Sequence, residues 1–255
     1  MKIHSLFIFA FAAFLPLTAQ GEQQHITVVT ESTPITSVST QQPKGAEATQ
    51  FVRALLEKAG FSYDIQFVPW RRGYQQVKQS ANTMIFPLAR TAHRETDFQW
   101  VGQLIPIRYY LFRLKDRPEL SITSLDEARL YRIGVVNYHA HHEYLLQRDF
   151  KQLPAVNSSE QNIKKLLLRR IDFFAVSDGG ILPLCQRTQV DCSQITPALP
   201  LTDLASGLYM AFGQETDSAV VQRLRKAYQQ LIEDGTRQKI FATRLEQLNR
   251  FHKQW

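Results

Sequence analysis

The sequence predicts an α/β fold in two lobes, the first of them discontinuous, joined by two hinge crossings. Two observations carry this expectation. Strand-like and helix-like patterns alternate in two separate parallel α/β units, one ending near Pro106 and one near Leu201. A further strand and two amphipathic helices then follow the second unit, and they have no lobe to join except the first. A chain that leaves a lobe, builds another and returns crosses between them twice, and the cleft between such lobes is where ligands usually sit.

Residues 1–21 read as a signal peptide. Met1-Lys2-Ile3-His4 is a short basic start, Leu6 to Leu17 is apolar apart from Pro16, and Thr18-Ala19-Gln20-Gly21 supplies small residues for cleavage. The apolar run is too short to span a bilayer. Roughly 235 residues remain, enough for two lobes of ordinary size. An exported protein is expected.

The first part of lobe 1 is assigned to residues 22–106. Ile26 to Thr30 is a β-branched strand. Ala48, Phe51, Val52, Leu55, Leu56 and Ala59 recur at helical spacing on one face, and Gly60 stands where a left-handed C-terminal cap belongs. Tyr63 to Val68 reads as a strand, Arg72 to Gln79 as a short helix and Met84 to Leu88 as a third strand. Lobe 2 is assigned to residues 107–201. Ser124 opens a short helix, Tyr131 to Val136 is a strand, and Asn137 is positioned to cap a helix running through Glu143 to Leu146. Ser158-x-x-Gln161 has the pattern of a capping box ahead of Ile163, Leu166 and Leu167. Ile171 to Val176 is a strand, and Asp178-Gly179-Gly180 reads as the turn after it. Residues 202–255 return to lobe 1 through the strand Gly207 to Phe212. A helix capped by Asp217 and ended by Gly235 follows, then a short helix carrying Ile240, Phe241 and Leu245.

Cys185 and Cys192 are the only cysteines, and in an exported chain they are expected to form a disulfide. Thirty basic against 23 acidic residues give a net charge of +7, but the basic residues are scattered rather than gathered into a run. That pattern favours solubility and anionic ligands over nucleic acid. His139, His142 and Glu143 share a helical face, yet they match no established zinc motif, so no metal is expected. The chain has no Gly-x-Ser-x-Gly elbow, no phosphate loop and no candidate catalytic cysteine, and no cofactor is implied.

The most informative segment is Thr91-Ala-His-Arg94, placed directly behind the strand pattern of Met84 to Leu88. An arginine leaving a strand end into a cleft can grip a carboxylate with both arms of its fork. Trp70, between Pro69 and Arg71, is a candidate stacking platform.

The layout resembles the family 3 extracellular solute-binding proteins, the periplasmic receptors of polar amino-acid ABC importers, whose architecture is the type II periplasmic-binding-protein fold. The likeness spans nearly all of the mature chain. It rests on Val68-Pro-Trp-Arg71, Arg90-Thr-Ala-His-Arg94-Glu, Arg132-Ile-Gly-Val-Val136, Leu168-Arg-Arg-Ile-Asp172 and Leu231-Ile-Glu-Asp-Gly235, in that order. The resemblance implies that Arg94, with Thr91, binds the α-carboxylate of a small amino-acid-like ligand, and that Trp70 stacks on it. It implies that backbone amides of Tyr138, His139 and Ala140 reach the same carboxylate, and that Asp178 meets the ligand's ammonium group. The expected partner is an inner-membrane ABC permease, met transiently by a monomer.

The sequence departs from the family pattern in several places, among them the first loop, where Ser32-Thr33-Pro34-Ile35 lacks the usual aromatic, and Pro87, which removes a possible hydroxyl. Ala89 stands where a hydroxyl residue is usual, Tyr138-His139-Ala140 replaces a typical Gly-Thr-Thr, and Asp178 lies one residue further from Asp172 than usual. The alternative on the same scaffold is a periplasmic enzyme of the cyclohexadienyl-dehydratase type, which needs a carboxyl group in the cleft as acid or base.

Overall fold

The computed structural model describes residues 24–37, 43 and 45–254. The expected signal peptide lies outside these residues. Among the described residues no helix is long and apolar enough to cross a membrane.

The first unit runs β1 (His25–Thr30), α1 (Glu47–Ala59), β2 (Ser62–Phe67), α2 (Trp70–Gln79), β3 (Thr83–Ala89) and β4 (Phe98–Pro106). The six apolar residues read as the α1 stripe are all buried, and Gly60 closes the helix at φ +70°. Only a residue without a Cβ adopts that left-handed conformation at little cost. The second unit runs β5 (Tyr109–Leu114), β6 (Ile133–Val136), α3 (Ala140–Leu146), β7 (Ala155–Val156), α4 (Ser159–Leu167), β8 (Phe173–Ser177), α5 (Asp178–Thr188) and β9 (Ile195–Leu201). The chain ends with β10 (Gly207–Gly213), α6 (Ser218–Glu233) and α7 (Thr236–Gln254).

Two five-stranded sheets result, ordered β2-β1-β3-β10-β4 and β7-β6-β8-β5-β9. The returning strand β10 lies antiparallel between β3 and β4, so the first sheet is closed by a segment that follows the whole second lobe. The chain passes between the sheets at Ile107–Arg108 and again between Leu201 and Gly207. Both faces of each sheet are covered. On the first, α1, α6 and α7 pack one side, where Phe51 meets Tyr228 and Phe241 with ring centroids 6.1 and 5.9 Å apart. A smaller cluster of Val29, Val77, Ile85, Leu88, Phe98, Trp100 and Ala211 fills the other side. Such two-sided burial is why β3 and β8 read as nearly continuous apolar runs.

Several local expectations change in the folded chain. Asp178-Gly179-Gly180 is the first turn of α5 rather than a free turn, because Asp178 is buried and its carboxylate binds backbone amides there. His139, not Asn137, is the N-cap of α3; Asn137 bonds Asn157 instead. Ser158 caps α4 by position but makes no side-chain bond, while Gln161 accepts from the Asn157 N–H at 3.1 Å. The last helix has 19 residues, longer than its three apolar landmarks suggested. It reaches the second lobe, where Phe251 packs on Tyr110 and Phe112. Cys185 and Cys192 form a disulfide that ties the end of α5 to the turn before β9, with Cα atoms 5.6 Å apart. Asp172, the residue before β8, accepts bonds from the Arg132 backbone and side chain and from Arg117.

Candidate functional site

Parallel strands direct the N-termini of their following helices toward one edge of a sheet, and ligands of open α/β sheets gather at that edge. Here the carboxyl ends of β1 and β3 in one lobe face those of β6 and β8 in the other. Between them lies a cavity of about 210 Å³. Its walls come from both lobes and are mostly apolar, with Trp70, Ile105, Tyr109, Val136, Val176 and Leu208 among them. Its charged groups and histidines are Glu31 after β1, Arg94 after β3, His139 and His141 after β6, and Glu160 with Arg187, and neutral polar residues such as Ser32, Asn157 and Ser177 join them.

Arg94 is 1% exposed. Thr91 caps its short 3-10 turn by accepting from the Arg94 N–H at 3.3 Å, and this places the side chain in the junction between lobes. The guanidinium donates from Nε to Glu143 Oε2 at 2.9 Å, and Nη2 lies 2.9 Å from the same oxygen. Nη2 also donates to the Tyr138 carbonyl at 3.0 Å and Nη1 to the Ala89 carbonyl at 3.4 Å. The ring of Tyr74 lies 5.0 Å from the guanidinium carbon. A carboxylate therefore does sit in the fork, and it is the one on α3.

Tyr138 presents its carbonyl rather than its amide to this junction. Its φ of +63° turns the carbonyl toward lobe 1, where the Trp70 indole N–H donates to it at 3.0 Å. The Tyr138 ring is stacked under Arg71 at 4.9 Å and is not part of the cavity wall. The His139 amide donates to Val136 O at 3.1 Å, while its ring lines the cavity 5.5 Å from the Trp70 ring. Ala140 lines the cavity as the first residue of α3. Asp178 stands behind the cavity rather than on it. It accepts from the Arg108 and Gly179 amides and meets His252 Nε2 of α7 at 2.7 Å, so it fastens one hinge crossing to the C-terminal helix.

The electrostatics of the cavity wall come from burial. Glu31 is pushed up to about 7 by desolvation, with Glu160 adding to the effect and Arg187 opposing it. His139 is held down to about 3 by burial and by the nearby Arg94, and its Nε2 lies 3.5 Å from Glu31 Oε1. His141 is held well below the usual histidine range for the same reason. The Val136 N–H donates to His141 Nε2 at 3.1 Å, which requires a lone pair there. A neutral ring then carries its proton on Nδ1, and that atom has no partner among the described residues. Arg187 and Glu160 bond each other across the end of the cavity. Tyr109, raised to about 12 by burial, stays a neutral phenol.

Glu31, Glu143, Glu160, Arg187 and His141 had no place in the sequence-derived site. Glu31 carried a usable signal, since it directly follows the first parallel strand, at the edge where such sites form. Glu143 carried none, because its role depends on a residue 49 positions earlier in another lobe.

Against solved structures the likeness is extensive. A histidine kinase sensor domain with similarity to periplasmic binding proteins superimposes with a TM-score of 0.77 at 16% identity, over 88% of this chain and 97% of the other. The arginine-, lysine-, histidine-binding protein ArtJ from Geobacillus stearothermophilus gives 0.73 at 14%, over 90% and 100%. This chain has the two-lobed fold of the polar amino-acid binding proteins of ABC transporters. An ancestral amino-acid-binding protein, a precursor of cyclohexadienyl dehydratase, also shares that fold, at 0.68 and 11% over 86% and 94%. No family model matches the sequence, and no curated protein does. Identities this low speak for architecture alone, and the site must be argued from its own residues.

Proposed function

We propose that this chain is an exported solute-binding receptor that closes on a small, carboxylate-bearing, amino-acid-like solute and presents it to a membrane permease. The observation that carries the reading is Arg94. It is a buried guanidinium on the wall of a cavity sized for a small solute, at the junction of two lobes, and its fork already receives a carboxylate. Arg94 anchors the solute's carboxylate in exchange for Glu143, and Trp70 and His139 flank it. The unpaired Nδ1–H of His141 is a second donor for an acceptor oxygen. The amide and ammonium roles first expected of Tyr138 and Asp178 have less support than these, since Tyr138 turns its carbonyl inward and Asp178 is engaged at the hinge. The binding proteins that share the fold add weight at the level of class. The test is a thermal-shift screen of free amino acids, in which binding raises stability by RT ln(1 + [L]/Kd). If none of them shifts the transition, the reading fails.

One observation favours a second reading, a dehydratase-type enzyme. Glu31 is a half-buried carboxyl in the cavity, pushed up to about 7 by desolvation, with His139 Nε2 3.5 Å from it. An acid–base elimination needs such a group. Turnover of a prephenate-like substrate, lost in Glu31→Gln, would establish it; no turnover would remove it, and turnover unaffected by that substitution would take the acid–base role from Glu31.

A further inference from the structure

The Arg94 fork is filled by a carboxylate that the chain supplies itself. Glu143 leaves the first turn of α3 in lobe 2 and faces both Nε and Nη2 of an arginine in lobe 1. The same arginine, and Trp70 beside it, also hold the Tyr138 carbonyl. All of these contacts run from lobe 1 to a single seven-residue stretch, Asn137 to Glu143. They form a clasp that closes only when the lobes come together.

We infer that Glu143 is an intramolecular competitor for the anion subsite at Arg94, so that any solute carboxylate must displace it before the receptor can hold that solute. This deepens the proposed function and rests on it for the solute, though not for the subsite. The physical ground is that a guanidinium does not give up its proton, so a buried arginine requires a counter-charge. Glu143 and a solute carboxylate carry the same charge, and the Nε and Nη2 that now face Glu143 Oε2 serve one of them at a time. The apparent affinity of a solute then falls by the fraction of molecules in which the fork is free. The clasp therefore selects for solutes whose remaining contacts, with His141 and the aromatic wall, outweigh what Glu143 already provides. Small acids that offer only a carboxylate are excluded.

Chemical rescue tests the inference without knowledge of the natural solute. In Glu143→Ala the fork is vacated, and formate should raise the thermal transition saturably relative to chloride at equal ionic strength. The parent protein should show no such rise, nor should the Arg94→Ala, Glu143→Ala double variant. No rescue, or the same response in all three, overturns the inference. Should Glu143→Ala fail to fold, Glu143→Gln keeps the volume without the charge. Its radius of gyration with nothing added should exceed that of the parent, with Glu95→Gln as the control for a surface pair that does not cross the lobes. An unchanged radius overturns the inference by that route. Free amino acids should also bind Glu143→Gln about tenfold more tightly than the parent, roughly 1.4 kcal/mol. Rescue by formate with no response to any amino acid leaves the competitor standing and removes the amino-acid reading. Arg94-dependent amino-acid binding without rescue does the reverse.

Discussion

Replacing Glu31 by glutamine should change how stability depends on pH, and the size of the change follows from the position of the carboxyl. Burial raises Glu31 from 4.5 to about 7, so between those values the folded chain holds a proton that the unfolded chain has released. Stability then falls as pH rises, because the folded state binds more protons than the unfolded one. The cost of this one group is about 0.8 kcal/mol at pH 5 and about 3.4 kcal/mol at pH 8. It is fully developed only above the folded value. Glutamine has nearly the same shape and does not ionise, so the variant escapes the penalty. Its stability relative to the parent should increase by about 2.5 kcal/mol between pH 5 and pH 8. That figure is an upper value, since 24% of the side chain meets solvent. Urea unfolding at both pH values, with the slopes compared, measures it directly. Parallel curves for parent and variant would refute the argument, because they would mean that Glu31 titrates alike in both states.

Other outcomes follow from single contacts. Arg94→Ala should weaken a carboxylate-bearing solute by about 2–5 kcal/mol, and Arg94→Lys should recover only part, because an ammonium keeps the charge and loses the fork. Arg90→Ala is the control, since Arg90 pairs with Glu95 on the surface. The disulfide predicts that denatured, non-reduced protein exposes no free thiol; its reduction should cost about 2 kcal/mol, the scale for so short a loop. Burial pushes Asp172 up, but the bonds from Arg132 and Arg117 outweigh it and leave the group at about 2. Its stabilisation, about 2 kcal/mol, is present above pH 4 and lost as pH falls toward 2. Asp172→Asn should flatten acid unfolding over that window, and an unchanged acid limb would contradict the assignment.

The sequence by itself determined the parts that depend on neighbours along the chain. The α1 stripe, the left-handed Gly60, the Asp217 cap of α6 and the burial of β1, β3 and β8 are all set within a few residues, where helical and strand periods act. The two α/β units and the return of the last strand were readable for the same reason, as was the short Cys185–Cys192 loop. Arg94 and Trp70 were legible as candidates because each sits at a strand end with a composition that suits a cleft. Their partners were not. The pairing of Arg94 with Glu143, the inward carbonyl of Tyr138 and the burial that lifts Glu31 toward neutrality exist only once two lobes meet. Asp178 shows the same limit from the other side. Its composition suited a turn or an ammonium site, but α7 brings His252 against it from 74 residues away and binds it into the hinge. Charge, unlike periodicity, takes its meaning from whatever the fold brings within a few ångströms and from how much water is removed, and neither is written locally in the chain.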